Sequence, residues 1–438
     1  MKKGYLLLTL VILSVQLGMA QFTFDGEFRP RSEYRHGFGQ VIGEDQDPGY
    51  SISTRARLNA KYAAETFVVY LSLQDVLTWG ENRQIRIVDD NNSFAVFQAW
   101  ASLKLGGGFS TKLGRQVISY DDQRIFGGLA WAQQARNHDA ALLQYKKGKF
   151  LFDLGLAFNQ DFDSQTGNVS GFTNVGNGFT ESPGFFTYKT MQYLYLKQKW
   201  EKFSGSLLFL NNGFQNFEDP ERTIADGVSN LQTFGTHLEY KSGSFDLAFN
   251  GFLQTGERVN ELEVSSAYLL GLDLGYKVSD KVKLGIGTEI ISGDDGQTAG
   301  ETSAFFPLYG TNHKFNGYMD YFYVGNHANS VGLFDLHASA NFKLDKTSNL
   351  FVKVLNFQGE QDTSSGESQL GSEIDLVFNK NLKDGMNLKI GYSQFFTGDG
   401  IFDIPQGSIG SDAEGDFQNW AWVMLTIKPK FFTTAKPD

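Results

Sequence analysis

The residues best suited to chemistry in this sequence are its arginines, because ten of the twelve lie before residue 140. A guanidinium group stays charged and presents a planar fork of N–H donors that matches a carboxylate. Four arginines alternate with apolar residues in the first two strand-like segments: Arg29, Arg31, Arg55 and Arg57. Such a row suits a polyanion with a carboxylate on every unit. Alternatively, it pairs with Asp25, Glu27 and Glu33 and only neutralises its own surface.

No catalytic or metal-binding arrangement is visible in the sequence. Serine, histidine and acidic residues occur, but no G-x-S-x-G or comparable motif places them together. The absence of cysteine excludes disulfides, thiolate metal sites and a lipoprotein anchor. His313, Asp320 and His327 lie in a glycine-rich loop at a spacing that fits no standard metal site, so we expect structural hydrogen bonds there. We therefore predict no enzyme activity, no cofactor and no metal site.

The arginines are positioned by a strict alternation of apolar and polar residues. In residues 22–35, Phe22, Phe24 and Phe28 share one parity, and charged residues occupy the other. Residues 50–62 repeat this arrangement. Successive side chains of a strand point to opposite faces, so each segment has one apolar and one polar face. The alternation recurs to the C-terminus, and aromatic residues often begin or end the apolar rows.

Segments of this kind, about ten residues long, number about eighteen. They start near residues 22, 50, 66, 94, 109, 138, 149, 188, 203, 231, 244, 265, 281, 331, 348, 368, 385 and 417. Short turns alternate with long polar loops between them. The pattern predicts an all-β fold, namely a single transmembrane antiparallel up-and-down β-barrel of about 18 strands, with short periplasmic turns and long extracellular loops.

A soluble β-sandwich or propeller is the alternative fold, since its strands also alternate. Such a fold should contain runs that are apolar on both parities, and here mainly residues 207–210 and the last strand do so. Closing about eighteen strands leaves an aqueous channel, so function must come from whatever lines or plugs it. The long loops at 161–187 and 292–330 could fold into the channel as constrictions, or remain ordinary extracellular loops.

The N-terminus predicts export from the cytoplasm. Lys2 and Lys3 precede an apolar run, and small residues follow at Gly18 and Ala20, as in a cleaved signal peptide. We therefore divide the chain into a signal peptide, residues 1–20, and an outer-membrane β-barrel domain, residues 21–438. An uncleaved anchor is the alternative, but the run is shorter than the roughly 20 residues of a spanning helix. The net charge of −11 argues against a nucleic-acid partner.

Two blocks of the sequence resemble the alginate export family of outer-membrane barrels. The first comprises Leu113-Gly114-Arg115-Gln116, Tyr120-Asp121-Asp122-Gln123-Arg124, Gly127-Gly128, Trp131-Ala132-Gln133-Gln134-Ala135-Arg136 and Asp139. The second, residues 306–320, is similar to a loop of relatives from a Bacteroidetes-like branch. The resemblance implies a single-chain barrel of eighteen strands that conducts an anionic polyuronate outward through an arginine-rich lumen.

The resemblance also implies roles for individual residues. Arg115, Arg124 and Arg136 would lie on the lumen wall or on an inward-folded loop. Their partners would be Asp121, Asp122 and Asp139. One departure matters, because Arg115 shares its parity with apolar Leu113. Either the strand has ended there or a bulge redirects the side chain.

These observations predict a channel in the outer membrane of a Gram-negative bacterium, with both termini in the periplasm. Its expected partners are an anionic polysaccharide or oligosaccharide, membrane lipid, and periplasmic export or uptake components. The leading hypothesis is passive export of an alginate-like polyuronate. The alternatives are an uptake porin for anionic oligosaccharides or small solutes, and an outer-membrane hydrolase, because catalytic residues can assemble from distant strands.

Overall fold

The computed structural model describes residues 20–43, 46–81, 93–159, 188–218, 225–327, 330–383, 385–407 and 418–434. The predicted signal peptide, apart from Ala20, lies outside the described residues. So does the predicted constriction at 161–187. Within the described residues, the alternating segments fold as strands that continue from one to the next around a barrel.

Eighteen strands of the described residues build the barrel wall. They are β1 (Gln21–His36), β2 (Gly49–Ala63), β3 (Phe67–Thr78), β4 (Ala95–Gly106), β5 (Phe109–Gln116), β6 (His138–Lys147), β7 (Phe150–Phe158), β8 (Thr190–Lys199), β9 (Phe203–Phe217), β10 (Ala225–Ser242), β11 (Phe245–Arg258), β12 (Leu262–Lys277), β13 (Val282–Ile291), β14 (Leu333–Lys343), β15 (Ser348–Gln358), β16 (Gln369–Lys383), β17 (Met386–Thr397) and β18 (Gln418–Ile427). Each strand pairs antiparallel with the next along the chain, and the predicted fold class is confirmed.

The barrel closes between its first and last strands. β1 pairs with β2 on one side and with β18 on the other, from Phe28 opposite Ile427 to His36 opposite Asn419. The last strand resumes after two residues as the segment Lys430–Thr433, which also pairs with β1. No open edge therefore remains at this junction, as a barrel in a membrane requires.

Apolar side chains face outward from the wall, and polar side chains face the lumen. On β1, Phe28 is 46% exposed whereas its neighbour Arg29 is 5% exposed. Leu58 on β2 and Ile286 on β13 are likewise exposed. This arrangement presents hydrocarbon to lipid and leaves hydrogen-bonding groups to the interior. Among the described residues, no helix has both the length and the apolar character needed to cross a membrane.

The two ends of the barrel differ in their connections. Turns of a few residues join the strands at one end, which we call the short-turn end, as at Ala64–Thr66 and Gly107–Gly108. The described barrel begins and ends there, because Thr23 pairs with Thr433. Longer connections lie at the opposite, long-loop end, and two of them turn inward.

Two inner loops fill the middle of the lumen. The first inner loop, residues 117–137, joins β5 to β6, and the second inner loop, residues 292–327, follows β13. Phe126 of the first and Tyr309 of the second form an isolated β-bridge, and both side chains are buried. Inward folding is therefore the correct alternative for the predicted loop at 292–330, as far as it is described. The loops give this barrel a packed interior between its two ends.

Candidate lumen site

The arginine row on β1 and β2 holds the first inner loop by its backbone. Arg29 donates to the carbonyl oxygens of Ala130, at 2.7 Å, and of Trp131 and Ala132, at 3.1 Å each. Arg55 reaches the same stretch, donating to the Ala132 carbonyl at 3.2 Å. On either side of the stretch, Leu129 and Ala135 have positive φ values of 46° and 57°, a conformation that residues other than glycine rarely adopt.

Acidic residues of the same wall neutralise part of the row. Arg31 lies 2.8 Å from Glu33, and Arg55 pairs with Glu27. Arg31 also donates to the Trp131 carbonyl at 3.0 Å. The alternative in which the row pairs with acidic residues of its own wall therefore holds for Arg31 and Arg55. These side chains are largely buried, and their pairing helps to fix the loop against the wall.

Arg57 differs from the other arginines of the row. Its Nε donates to Gln74 at 2.6 Å, and its guanidinium lies 3.7 Å from the centre of the Phe97 ring. Its Nη2 is buried and makes no hydrogen bond to any described residue. A buried donor without a partner is costly, so this arginine is less well satisfied by the wall than its neighbours are.

Arg124 joins the two inner loops to the wall. It donates to Asn312 at 3.0 Å and to Asn316 at 3.1 Å, both in the second inner loop, and it pairs with Glu289 of β13. Its guanidinium also lies 4.5 Å from the centre of the Phe315 ring. All of this side chain is buried, so the ion pair is shielded from solvent.

Aromatic residues pack where the first inner loop meets β18. Trp131 stacks on His313 of the second inner loop, with ring centres 4.6 Å apart. It also contacts the edge of Trp422, at 4.7 Å, and of Trp420, at 5.6 Å. The inward parity of these two tryptophans, which interrupts the polar row of the last strand, thus has a packing role.

The second inner loop is further fixed by two buried groups. Glu373 of β16 accepts hydrogen bonds from the backbone N–H groups of Tyr318 and Met319. His327 hydrogen-bonds the Phe322 carbonyl at 2.9 Å. Burial, reinforced by the positive charge of Arg124, lowers the pKa of His327 to about 3. This histidine is therefore neutral at physiological pH.

A cavity of about 940 Å³ lies between the first inner loop and the short-turn end. We call it the basic vestibule. Its charged lining comprises Glu27, Arg29, Arg55, Arg57, Lys383, Lys389 and Lys428. Among the described lining residues, six are therefore basic and one is acidic. Trp131 and Ala130 form its inner boundary, and Asn379, Asn381 and Asn387 contribute amide groups.

The cavity toward the long-loop end has the opposite charge. Its volume is about 850 Å³, and its acidic lining residues are Asp294, Asp295, Glu301, Asp362 and Asp403. No described lining residue of this cavity is basic. The described charged residues of the two cavities are therefore mainly of opposite sign.

A family model for alginate export matches residues 20–407, most of the chain. The chain belongs to the alginate export family. No curated protein sequence matches it with significance. Membership of this family, together with the barrel fold, makes the chain an outer-membrane channel protein, as the sequence predicts.

Solved structures of similar fold include two proteins of Acinetobacter baumannii and one of Pseudomonas aeruginosa. OccAB4 has a TM-score of 0.62 at 14% identity, covering 94% of this chain and 98% of its own. OccAB1 has a TM-score of 0.62 at 13% identity, with coverages of 94% and 97%. The outer membrane protein opdK has a TM-score of 0.59 at 9% identity, with coverages of 95% and 99%. At these identities the likeness shows the fold alone.

In this alginate export family barrel, Arg115 and Asp139 lie outside the lumen. The prediction that they line it is wrong, because β5 runs on without a bulge at this position and pairs Arg115 with Asp139 of β6. Arg115 therefore stays on the outward row with Leu113. The two side chains form a bidentate ion pair, with distances of 2.9 and 2.8 Å, and both are more than 40% exposed.

Asp121 and Asp122 also differ from their predicted roles, whereas Asp139 does pair with one of the predicted arginines, Arg115. Asp121 accepts hydrogen bonds from Tyr195 at 2.7 Å and Ser206 at 2.6 Å, and it pairs with Lys197. Asp122 accepts from the Asn250 side chain at 2.6 Å. They tie the first inner loop to β8, β9 and β11 instead of pairing with the predicted arginines.

Arg136 lies on the first inner loop, as the resemblance allows, but it pairs with the second loop. It donates to the Gly310 carbonyl at 3.3 Å and lies 5.7 Å from the centre of the Tyr309 ring. Sequence reasoning missed Lys389 and the amides of β16 and β17 as lining residues. Their inward parity was the available signal, because Asn387 and Lys389 alternate with apolar residues.

Proposed function

We propose that this alginate export family barrel passes an anionic polysaccharide, of the polyuronate type, through the basic vestibule. The observation that carries the proposal is the excess of basic over acidic groups in that cavity. Arg29, Arg55 and Arg57 provide positive charge on one side, and Lys389 provides an ammonium group on the other. Several weak charged contacts let a polyanion enter without becoming trapped.

The roles of the predicted site residues divide accordingly. Arg57, which is less buried than Arg29 and Arg55, is the best placed to contact the anion, and Arg29 and Arg55 combine cavity lining with loop fixation. Arg31, Arg124 and Arg136 position the inner loops. We assign the short-turn end, with both termini, to the periplasm, following the usual arrangement of such barrels.

Two further assignments complete the proposal. Residues 1–20 act as a signal peptide that is removed before the domain 21–438 enters the outer membrane. At the short-turn end, periplasmic export components deliver the polymer to the vestibule. Transport requires no chemical step, so we expect neither catalysis nor a cofactor.

The experiment is block of single-channel current in planar bilayers by oligouronates. We expect reversible block that weakens as ionic strength rises, because salt screens the vestibule charges. The double variant Arg57→Ala, Lys389→Ala should weaken block by about tenfold or more, the equivalent of roughly two charge-assisted contacts. Lys380→Ala is the matched control, since Lys380 lies on the outward row of β16 and pairs with Asp345. The proposal would be refuted if oligouronates blocked the double variant as strongly as the unaltered channel, or if they did not block the unaltered channel at all.

Uptake of anionic oligosaccharides or small solutes is the second candidate. The packed inner loops favour it, because they narrow a bore that eighteen strands would otherwise leave open. The dependence of block on oligomer length separates the two functions. Affinity that rises steadily with length indicates a polymer threaded through the bore, whereas affinity that is constant from the monomer upward indicates small-solute uptake.

A further inference from the structure

A chain of asparagine side chains runs around the lumen wall near the short-turn end. Asn349 donates to Asn341 at 3.4 Å, Asn379 donates to Asn349 at 3.0 Å, and Asn387 donates to Asn379 at 2.9 Å. Asn387 also donates to Asn381 at 2.8 Å. The chain crosses four neighbouring strands, β14 to β17. We call it the asparagine ladder.

The ladder leaves hydrogen-bonding capacity unused. A carboxamide has two N–H donors and an oxygen with two lone pairs. In the contacts above, Asn379 gives one donor and accepts one bond, so one N–H and one lone pair remain. Asn387 donates within the ladder, and no described residue donates to its oxygen. Both residues line the basic vestibule and neither is fully buried, so these groups face the lumen.

The position of the ladder connects it to the charged groups of the basic vestibule. Asn379, Asn381 and Asn387 line the cavity, and Lys389 stands directly opposite Asn379 in the pairing of β16 with β17. Arg29 lines the same cavity from β1, on the far side of β18. One cavity therefore contains fixed amides on one wall and guanidinium groups on the other.

This combination matches the chemistry of a carboxylated sugar. Such a sugar offers a carboxylate to a cation and hydroxyl groups that both donate and accept hydrogen bonds. A carboxamide pairs with a hydroxyl in both directions, whereas an ammonium group can only donate. A site built to hydrogen-bond hydroxyl groups discriminates strongly against analogues that lack them, because its amides are then left unpaired.

We propose that Asn379 and Asn387, the part of the asparagine ladder that lines the vestibule, form with Lys389 a sugar subsite that makes the vestibule select acidic saccharides over non-sugar anions of comparable charge. The inference rests on the proposed function, in that anions must enter the vestibule. The guanidinium groups supply attraction for any anion. The amides supply the discrimination, by binding the hydroxyl groups of the sugar ring next to the carboxylate.

The test compares two blockers of similar charge on the full-length channel, a trigalacturonate and inorganic tripolyphosphate. Asn379→Ala with Asn387→Ala should weaken block by trigalacturonate about tenfold, for two lost hydrogen bonds, and change block by tripolyphosphate less than twofold. Asn341→Ala is the matched control, because Asn341 belongs to the ladder but does not line the vestibule. It should leave both blockers unaffected.

Single variants Asn379→Ser and Asn387→Ser provide a milder change that retains a hydroxyl group. A smaller loss of trigalacturonate block in each of them supports the proposal. An equal loss for both blockers, or no loss for trigalacturonate, overturns the sugar subsite while leaving anion entry intact. If neither anion blocks the unaltered channel, the proposed function fails together with this inference.

Discussion

Replacement of Arg124 by alanine tests whether the inner loops are held by charge in the interior. The side chain is fully buried, and it joins Glu289 of the wall to Asn312 and Asn316 of the second inner loop. In Arg124→Ala, Glu289 keeps a bond from Asn316 but loses its counter-charge. Removing one partner of a buried ion pair costs about 3–5 kcal/mol.

This free energy destabilises the docked state of the loops and leaves the barrel wall folded, because the strands of the wall pair with one another around the barrel. A loss of about 3–5 kcal/mol shifts the ratio of docked to undocked loops by roughly a hundred- to several-thousand-fold. The expected result is a higher single-channel conductance with frequent transitions between levels. Limited proteolysis should also cut within residues 292–327 of the variant and leave them intact in the unaltered channel.

A double variant provides the control. Arg124→Met with Glu289→Leu removes both charges, and buried pairs replaced by apolar residues of similar volume often keep their stability. We therefore expect the double variant to keep the low conductance. The explanation is wrong if Arg124→Ala conducts like the unaltered protein, or if the double variant opens as much as the single one. Heat-modifiable migration in gels shows that each variant is a folded barrel.

Three further predictions concern the loops and the outer surface. Trp131→Ala removes the stack on His313 and should raise conductance less than Arg124→Ala does, since an aromatic pair contributes about 0.5–1.5 kcal/mol; comparing single-channel currents checks the order. Arg115→Ala should leave oligouronate block unchanged, because the side chain lies outside the lumen, and a measured loss of block contradicts that placement. His327 has a folded pKa of about 3 against an ordinary value of 6.5, so docking is fully stable above pH 6.5 and weakens as pH falls toward 3; conductance should therefore rise on acidification, and His327→Gln should reduce that rise.

Most of the barrel wall could be predicted from alternation alone. The predicted start of β6, at residue 138, is the observed one, and most of the other starts differ by three residues or fewer. β10 is the exception, since it begins at 225 and not near 231. Its extra residues continue the strand past an irregularity between Ala225 and Val228, where Gly227 has a φ of 77°. An irregularity of this kind interrupts the alternation of apolar and polar residues from which the strand was predicted.

The site was less predictable, because its key contacts join side chains to a distant backbone. The guanidinium groups of Arg29 and Arg55 bind carbonyl groups 101 and 77 residues further along the chain, and no spacing in the sequence encodes such a contact. The alternation along β1 and β2 correctly predicted that the side chains of both arginines point into the barrel. The error at Arg115 came from favouring the resemblance over parity, although parity with Leu113 indicated the outward row.

The basic vestibule takes its walls from both ends of the barrel sequence. Arg29 and Arg57 belong to β1 and β2, Asn387 and Lys389 to β17, and β18 lies between them. An unfolded chain cannot assemble this site, so a bound molecule stabilises the native state only, by about 2.7 kcal/mol at a hundred times its Kd. A bound anion would thus link strands from the N-terminal and C-terminal parts of the barrel reversibly. The melting temperature of the barrel would then report how far the site is occupied.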